Sequence, residues 1–209
     1  MKRNSCGPRT RRALLAALLA AFGLALLFQA GPALQSGPVR AKTAAAAAQD
    51  DFKVTTVFLV RHAERDSAPP QDPALSEAGK ARSQELARLL SKSGIRYIYT
   101  TQFMRTKQTA EPLSKQLGVA LTPVNVKISP SNPRAVAEDS IKEFVNKIYE
   151  RGGEPALIIG HTNTVPEIIR MLGGDAESID EKSYDDLFIV TVYGKGKAQV
   201  VRLKYGSSS

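Results

Sequence analysis

A chain of 209 residues is long enough for one domain with a well-packed core and short for two. Its formal charge of +9 would suggest a nucleic-acid or membrane partner, but residues 1–49 carry seven of the 29 basic side chains and none of the 20 acidic ones, so 22 basic face 20 acidic side chains in residues 50–209. That near-neutral remainder argues against a nucleic-acid-binding face, and the single cysteine, Cys6, excludes both an intrachain disulfide and thiol chemistry after residue 49.

Basic residues through Arg12 precede an apolar run from Ala13 to Phe28, broken only by Gly23, and then small residues with Gly and Pro. That is the order of a secretory signal. A run of about 16 residues falls short of the about 20 that span a bilayer, so the expectation is a leader that is cleaved or kept as a tilted anchor. Val39-Arg40-Ala41 and the run Ala44 to Ala48 both offer small residues to a signal peptidase, and Thr10-Arg11-Arg12 follows a twin-arginine pattern only loosely. The chain thus divides into residues 1–49, leader plus Ala-rich linker, and residues 50–209, a domain expected outside the cytoplasm. Membrane contact is expected only through the leader.

From Val54 to Val60 a β-branched and aromatic run predicts a strand, followed by a Pro-rich loop through Pro73. Ser76 is placed to cap a helix running to about Lys92, with Leu86, Leu89 and Leu90 on one face and Gly94 as terminator. Ile95 to Thr100 predicts a second strand, and a helix from near Phe103 is expected to kink or restart at Pro112. Val119 to Val126 predicts a third strand, at an edge because of Pro123. Asn132-Pro133 predicts a helix start, with Ala137, Ile141, Phe144, Val145 and Ile148 at helical spacing until Gly152. Ala156 to Ile159 reads as a buried strand, and Val165 to Leu172 as a short helix ending at Gly173. Asp186 to Tyr193 and Ala198 to Tyr205 read as strands joined by a Gly194-Lys195-Gly196-Lys197 hairpin. Strands alternating with helices need crossovers, so the fold class is α/β: three layers, a mostly parallel sheet with helices on both faces.

Ligands in such sheets bind beyond the carboxyl ends of the strands. The only two histidines each follow an apolar strand there, in Leu59-Val60-Arg61-His62 and Ile158-Ile159-Gly160-His161, and Arg105 opens the helix after the second strand. Two arginines, two imidazoles and a helix N-terminus converging on one cleft make a site for a tetrahedral dianion such as phosphate.

Phe58-Leu59-Val60-Arg61-His62-Ala63-Glu64, Leu75-Ser76-Glu77-Ala78-Gly79, Arg105-Thr106 with Thr109-Ala110, and Gly160-His161 together resemble the histidine phosphatase superfamily, also called phosphoglycerate mutase-like. The resemblance runs in order from about Val54 to Tyr205 and implies a phosphoglycerate mutase-like fold. It implies that His62 is the nucleophile that becomes phosphorylated, and that Arg61, Arg105 and His161 grip the phosphoryl oxygens; on physical grounds His161 is expected to be protonated as it does so, and Thr162 is expected to contact the substrate as well. It implies no cofactor and no metal, and a phosphorylated substrate as the partner. A neutral His62 would attack through one ring nitrogen while the other donates a hydrogen bond, and water would then cleave the phosphohistidine.

The chain departs from the family pattern at Ala63, where Gly is usual, and at Thr162, where the acid-phosphatase branch has Asp. Mutase-type members place a Glu after the third strand; here Glu138 is the candidate proton donor, against its plain reading as a solvent-facing helix residue. Glu64 is expected to order its loop. A zinc site from His62, His161 and Glu64 or Asp66 is disfavoured by two adjacent arginines, and the chain has neither a Gly-x-Ser-x-Gly elbow nor a Walker loop. The remaining alternatives are an exported phosphate-binding module with little turnover and a mutase-type phosphotransferase, the latter disfavoured by the short stretch between Val124 and Pro133.

Overall fold

The computed structural model describes residues 52–206, and the leader expected over 1–49 lies outside them. The first apolar run becomes β1 (Thr55–Arg61), whose alternation sends Val57 and Leu59 into one core cluster and Val60 into another. Helix α1 (Glu77–Leu90) starts at its expected cap, with the Ser76 hydroxyl accepting from Gly79 N at 3.2 Å. Next come β2 (Tyr97–Thr101), α2 (Met104–Leu117) and β3 (Leu121–Val124). Of the kink or restart expected at Pro112, the restart does not occur: α2 runs through the proline as one helix. The proline removes one backbone bond, but Ala110 and Leu113 on either side of it are buried against Leu86, Ala87 and Leu90 of α1. β3 does lie at the sheet edge, where Pro123 interrupts no interior ladder.

Where Asn132-Pro133 predicts a helix start, the chain instead forms a hairpin of β4 (Ile128–Ser129) and β5 (Asn132–Val136). A residue before proline is pushed out of the α region, and Asn132 accordingly pairs as a strand residue opposite Ser129. Ala137 N donates to Lys127 O at 2.8 Å to close the hairpin, and α3 (Glu138–Glu150) begins only beyond it. The helical spacing that follows is as expected, with Ile141, Phe144, Val145 and Ile148 buried. β6 (Ala156–Gly160), α4 (Val165–Met171), β7 (Asp186–Gly194) and β8 (Lys197–Lys204) complete the domain, the last two joined at Gly196, whose φ of 66° suits the tight turn.

The strands lie in the order β3-β2-β6-β1-β7-β8. β3, β2, β6 and β1 run parallel, and the β7–β8 hairpin adds on antiparallel beside β1. The sheet is therefore mixed, a parallel core extended by a hairpin. α1 and α2 cover one face and α3 and α4 the other, giving the three expected layers. Register positions the functional end: Arg61 is level with Gly160, and Thr100 with Ile159, so β1, β6 and β2 finish together and hand their next residues to one cleft.

Candidate active site

His62 N still bonds Gly160 O at 3.0 Å, so the residue leaves the sheet in line with β1. Because β6 is the neighbouring parallel strand, the His62 and His161 rings meet with centroids 5.2 Å apart. His62 is only 4% exposed, and its Nδ1 lies 2.8 Å from Ala63 O. A carbonyl can only accept, so Nδ1 carries the ring proton and Nε2 keeps its lone pair. Burial disfavours a second proton, Arg61, Arg105 and Arg65 disfavour it further, and the Ala63 bond opposes them only in part, leaving the pKa at about 3. At neutral pH the imidazole is uncharged.

His161 is held through a chain of hydroxyls. Thr106 Oγ1 has carbonyl acceptors in Phe103 O at 2.8 Å and Thr101 O at 3.1 Å, so its own proton is committed to a carbonyl. It therefore accepts from Thr101 Oγ1 at 3.0 Å, and Thr101 in turn accepts from His161 Nε2 at 3.0 Å. Burial, then His62, Arg105 and Arg61, lower the His161 pKa well below its ordinary value. The expected protonated His161 is thus not the resting form: with the guanidinium groups of Arg61 and Arg105 nearby and little water, the ring is neutral. Gly160 precedes it because a Cβ there would stand 2.5 Å from Thr164 Oγ1, the atom that accepts from His161 N at 2.6 Å.

Arg61 and Arg105 both reach the cleft, and burial lowers the pKa of each. The Nε atoms of both are buried donors with no acceptor among the described residues. Arg61 is also tied to the segment before β7: its Nη1 donates to Asp180 O, Glu181 O and Ser183 O at 2.7 to 3.2 Å, and its Nη2 to Glu181 Oε2 at 3.1 Å. Tyr184 lies beneath it, 4.1 Å from ring centre to guanidinium carbon. At the N-terminus of α2, Met104 N donates to Asp72 Oδ1 at 2.8 Å.

Thr162 lines the same cavity of about 310 Å³ and donates to Glu181 Oε1 at 2.8 Å. Glu138 does not reach it: as the first residue of α3 it is exposed and paired with Lys142 at 2.9 Å. Glu64 orders its loop, accepting from Arg82 at 2.7 to 3.0 Å through its carboxylate and from Ser76 N through its carbonyl. Sequence reasoning missed Glu181, Thr101 and Arg65, which also lines the cavity. Arg65 directly follows the Phe58–Glu64 block and Thr101 closes β2 shortly before Arg105, so both stand next to residues that point to the site; Glu181 has no local signal at all.

Residues 57–128 match the model of the histidine phosphatase superfamily (branch 1), a stretch that ends before His161. No curated protein matches the chain. Among solved structures, the protein histidine phosphatase SixA complexed with tungstate is similar at 18% identity and a TM-score of 0.57, over 71% of this chain and 96% of that one. Phosphoglycerate mutase from Bacillus anthracis str. Sterne is similar at 16% identity and a TM-score of 0.55, over 73% of this chain and 94% of that one. The mycobacterial glucosyl-3-phosphoglycerate phosphatase is similar at 13% identity and a TM-score of 0.54, over 75% and 100% respectively. Over residues 57–128, the stretch that holds its Arg-His block, the chain is similar to the histidine phosphatase superfamily, and it shares the fold of these structures along nearly their whole length.

Proposed function

We propose that the domain hydrolyses phosphomonoesters through a phosphohistidine on His62. The observation that carries this is the His62 ring itself: its Nδ1 proton is fixed on Ala63 O and its Nε2 lone pair is buried among Arg61, Arg105 and His161. In the first step Nε2 bonds to phosphorus as the bond from phosphorus to the ester oxygen breaks, and that oxygen leaves as the alcohol with the proton of the monoester monoanion or one from solvent. In the second, water attacks the phosphohistidine, releasing inorganic phosphate and the neutral ring. Arg61 and Arg105 offer their free Nε donors to oxygens that carry the charge of a loose transition state. Protonation of His161 Nδ1 by the incoming monoester monoanion, or from solvent, turns its neutral ring into a third donor. Glu181 is the carboxylate that lines the cavity, and it supports the reading as the group able to orient the attacking water. The family match and the solved phosphatases named above support phosphatase chemistry.

The test is rapid quench with a radiolabelled aryl phosphate. His62→Ala abolishes both turnover and the labelled protein, whereas His161→Ala, which removes one positioning donor worth about 2–4 kcal/mol of transition-state stabilisation, leaves slow labelling. The label is acid-labile and alkali-stable, as a phosphoramidate is. Label on a hydroxyl residue or on His161, or normal turnover by His62→Ala, overturns the proposal.

A further inference from the structure

The mouth of the cavity is apolar on one side. Phe103 packs edge-on against His161, ring centres 5.4 Å apart, and Arg105 lies over its face with the guanidinium carbon 4.4 Å from the ring centre. Beyond Phe103 the lining continues as Val126, Ile128 and Val136 along the β4–β5 hairpin. This wall is fixed in place. The Gln102 amide donates to Val126 O and accepts from Val126 N, both at 3.0 Å, which locks the hairpin base to the turn that carries Phe103 and Arg105. Lys127 N donates to Ser140 Oγ at 3.0 Å and so ties the same base to α3. Val126 and Val136 also pack against the core behind them, but Ile128 does not: it is 57% exposed.

We infer that the site takes phosphomonoesters of apolar alcohols or phenols, with the hydrocarbon of the leaving group lying on Phe103 and Ile128. The inference rests on the phosphatase reading above. In-line displacement puts the leaving oxygen opposite His62 Nε2. His62 is buried at the floor, so that oxygen faces the mouth, where the wall stands. A hydrocarbon there removes both its own surface and that of Ile128 from water. A hydroxylated sugar ring or a peptide backbone gains nothing from the same contact and loses hydration.

Turnover of para-alkylphenyl phosphates from methyl to butyl tests this, because the leaving oxygens have nearly equal basicity. For the intact chain kcat/KM rises roughly twofold per methylene, below the about fourfold of a fully buried one. Ile128→Asn flattens the series. Leu203→Asn, at another exposed apolar residue on β8, keeps the rise. A flat series in the unsubstituted protein, or faster turnover of a phosphoserine peptide, overturns the inference. Alkylphosphonates of the same lengths cannot be hydrolysed, and their binding is read by calorimetry. Affinity that tightens with length while no ester is cleaved keeps the apolar wall and removes the phosphatase reading; affinity independent of length removes the wall.

Discussion

In the proposed reaction Arg61 has two competing clients: the phosphoryl group, and the segment 180–184, whose carbonyls and Glu181 carboxylate already hold both of its Nη atoms. Glu181 is solvent-exposed on its outer side, so its ion pair with Arg61 contributes little to stability, yet its charge stands at the edge of a dianion site. Glu181→Gln keeps an acceptor for Thr162 and removes the repulsion. In high effective dielectric that repulsion is worth about 1 kcal/mol, so the variant binds vanadate roughly fivefold more tightly. Equilibrium titration with vanadate checks this, and weaker binding would show that the carboxylate holds the ligand rather than competing with it.

Among the elements, the junction of α1 with the loop after His62 leaves no room for a side chain. A Cβ on Gly79 would stand 2.0 Å from Glu64 O, a backbone atom that also accepts from Ser76 N at 3.0 Å. Neither partner has a flexible side chain to give way. Gly79→Ala therefore pushes the loop off α1, costing about 2–3 kcal/mol as an overpacked contact and loosening the Ala63 carbonyl that holds His62 Nδ1. Urea unfolding and turnover should both fall, and a variant of unchanged stability would refute the close approach. Of the hairpin at the cavity mouth, the sequence showed a short connection between Val124 and Pro133 and a helix start; the helix comes later because the pre-proline residue Asn132 is extended and Gln102, far back in the chain, fixes Val126.

Over the whole molecule, packing the two histidines beneath a sheet end has a consequence for acid stability. The folded His62 pKa is about 3 against an ordinary 6.5, so between these values the unfolded chain binds more protons than the folded one. Stability is complete above about pH 6.5 and falls with decreasing pH at up to about 1.4 kcal/mol per unit for one group, levelling near pH 3. His161 adds loss in the same direction. The urea midpoint should drop from pH 7 to pH 5, and His62→Gln, which cannot charge, should show a shallower drop. Equal pH dependence in the two proteins would mean that His62 is solvated in the folded state.

The sequence by itself determined the three-layer α/β class, the Ser76 cap, the buried face of α3 and the placement of Arg61, His62 and His161 at strand ends, because each is written in a period of two or of 3.6 residues, or in a cap next to its helix. It also brought out Arg105, which belongs to the same cleft. Only the tertiary structure decided the neutral state of His161, the site's carboxylate and the apolar wall. The neutrality comes from burial among cations carried by β1 and α2, and Glu181 meets Arg61 across 120 residues. The wall comes from a hairpin whose base is pinned by a side chain 24 residues earlier. These are contacts between distant segments, and no local pattern of polarity encodes which segment will arrive beside which.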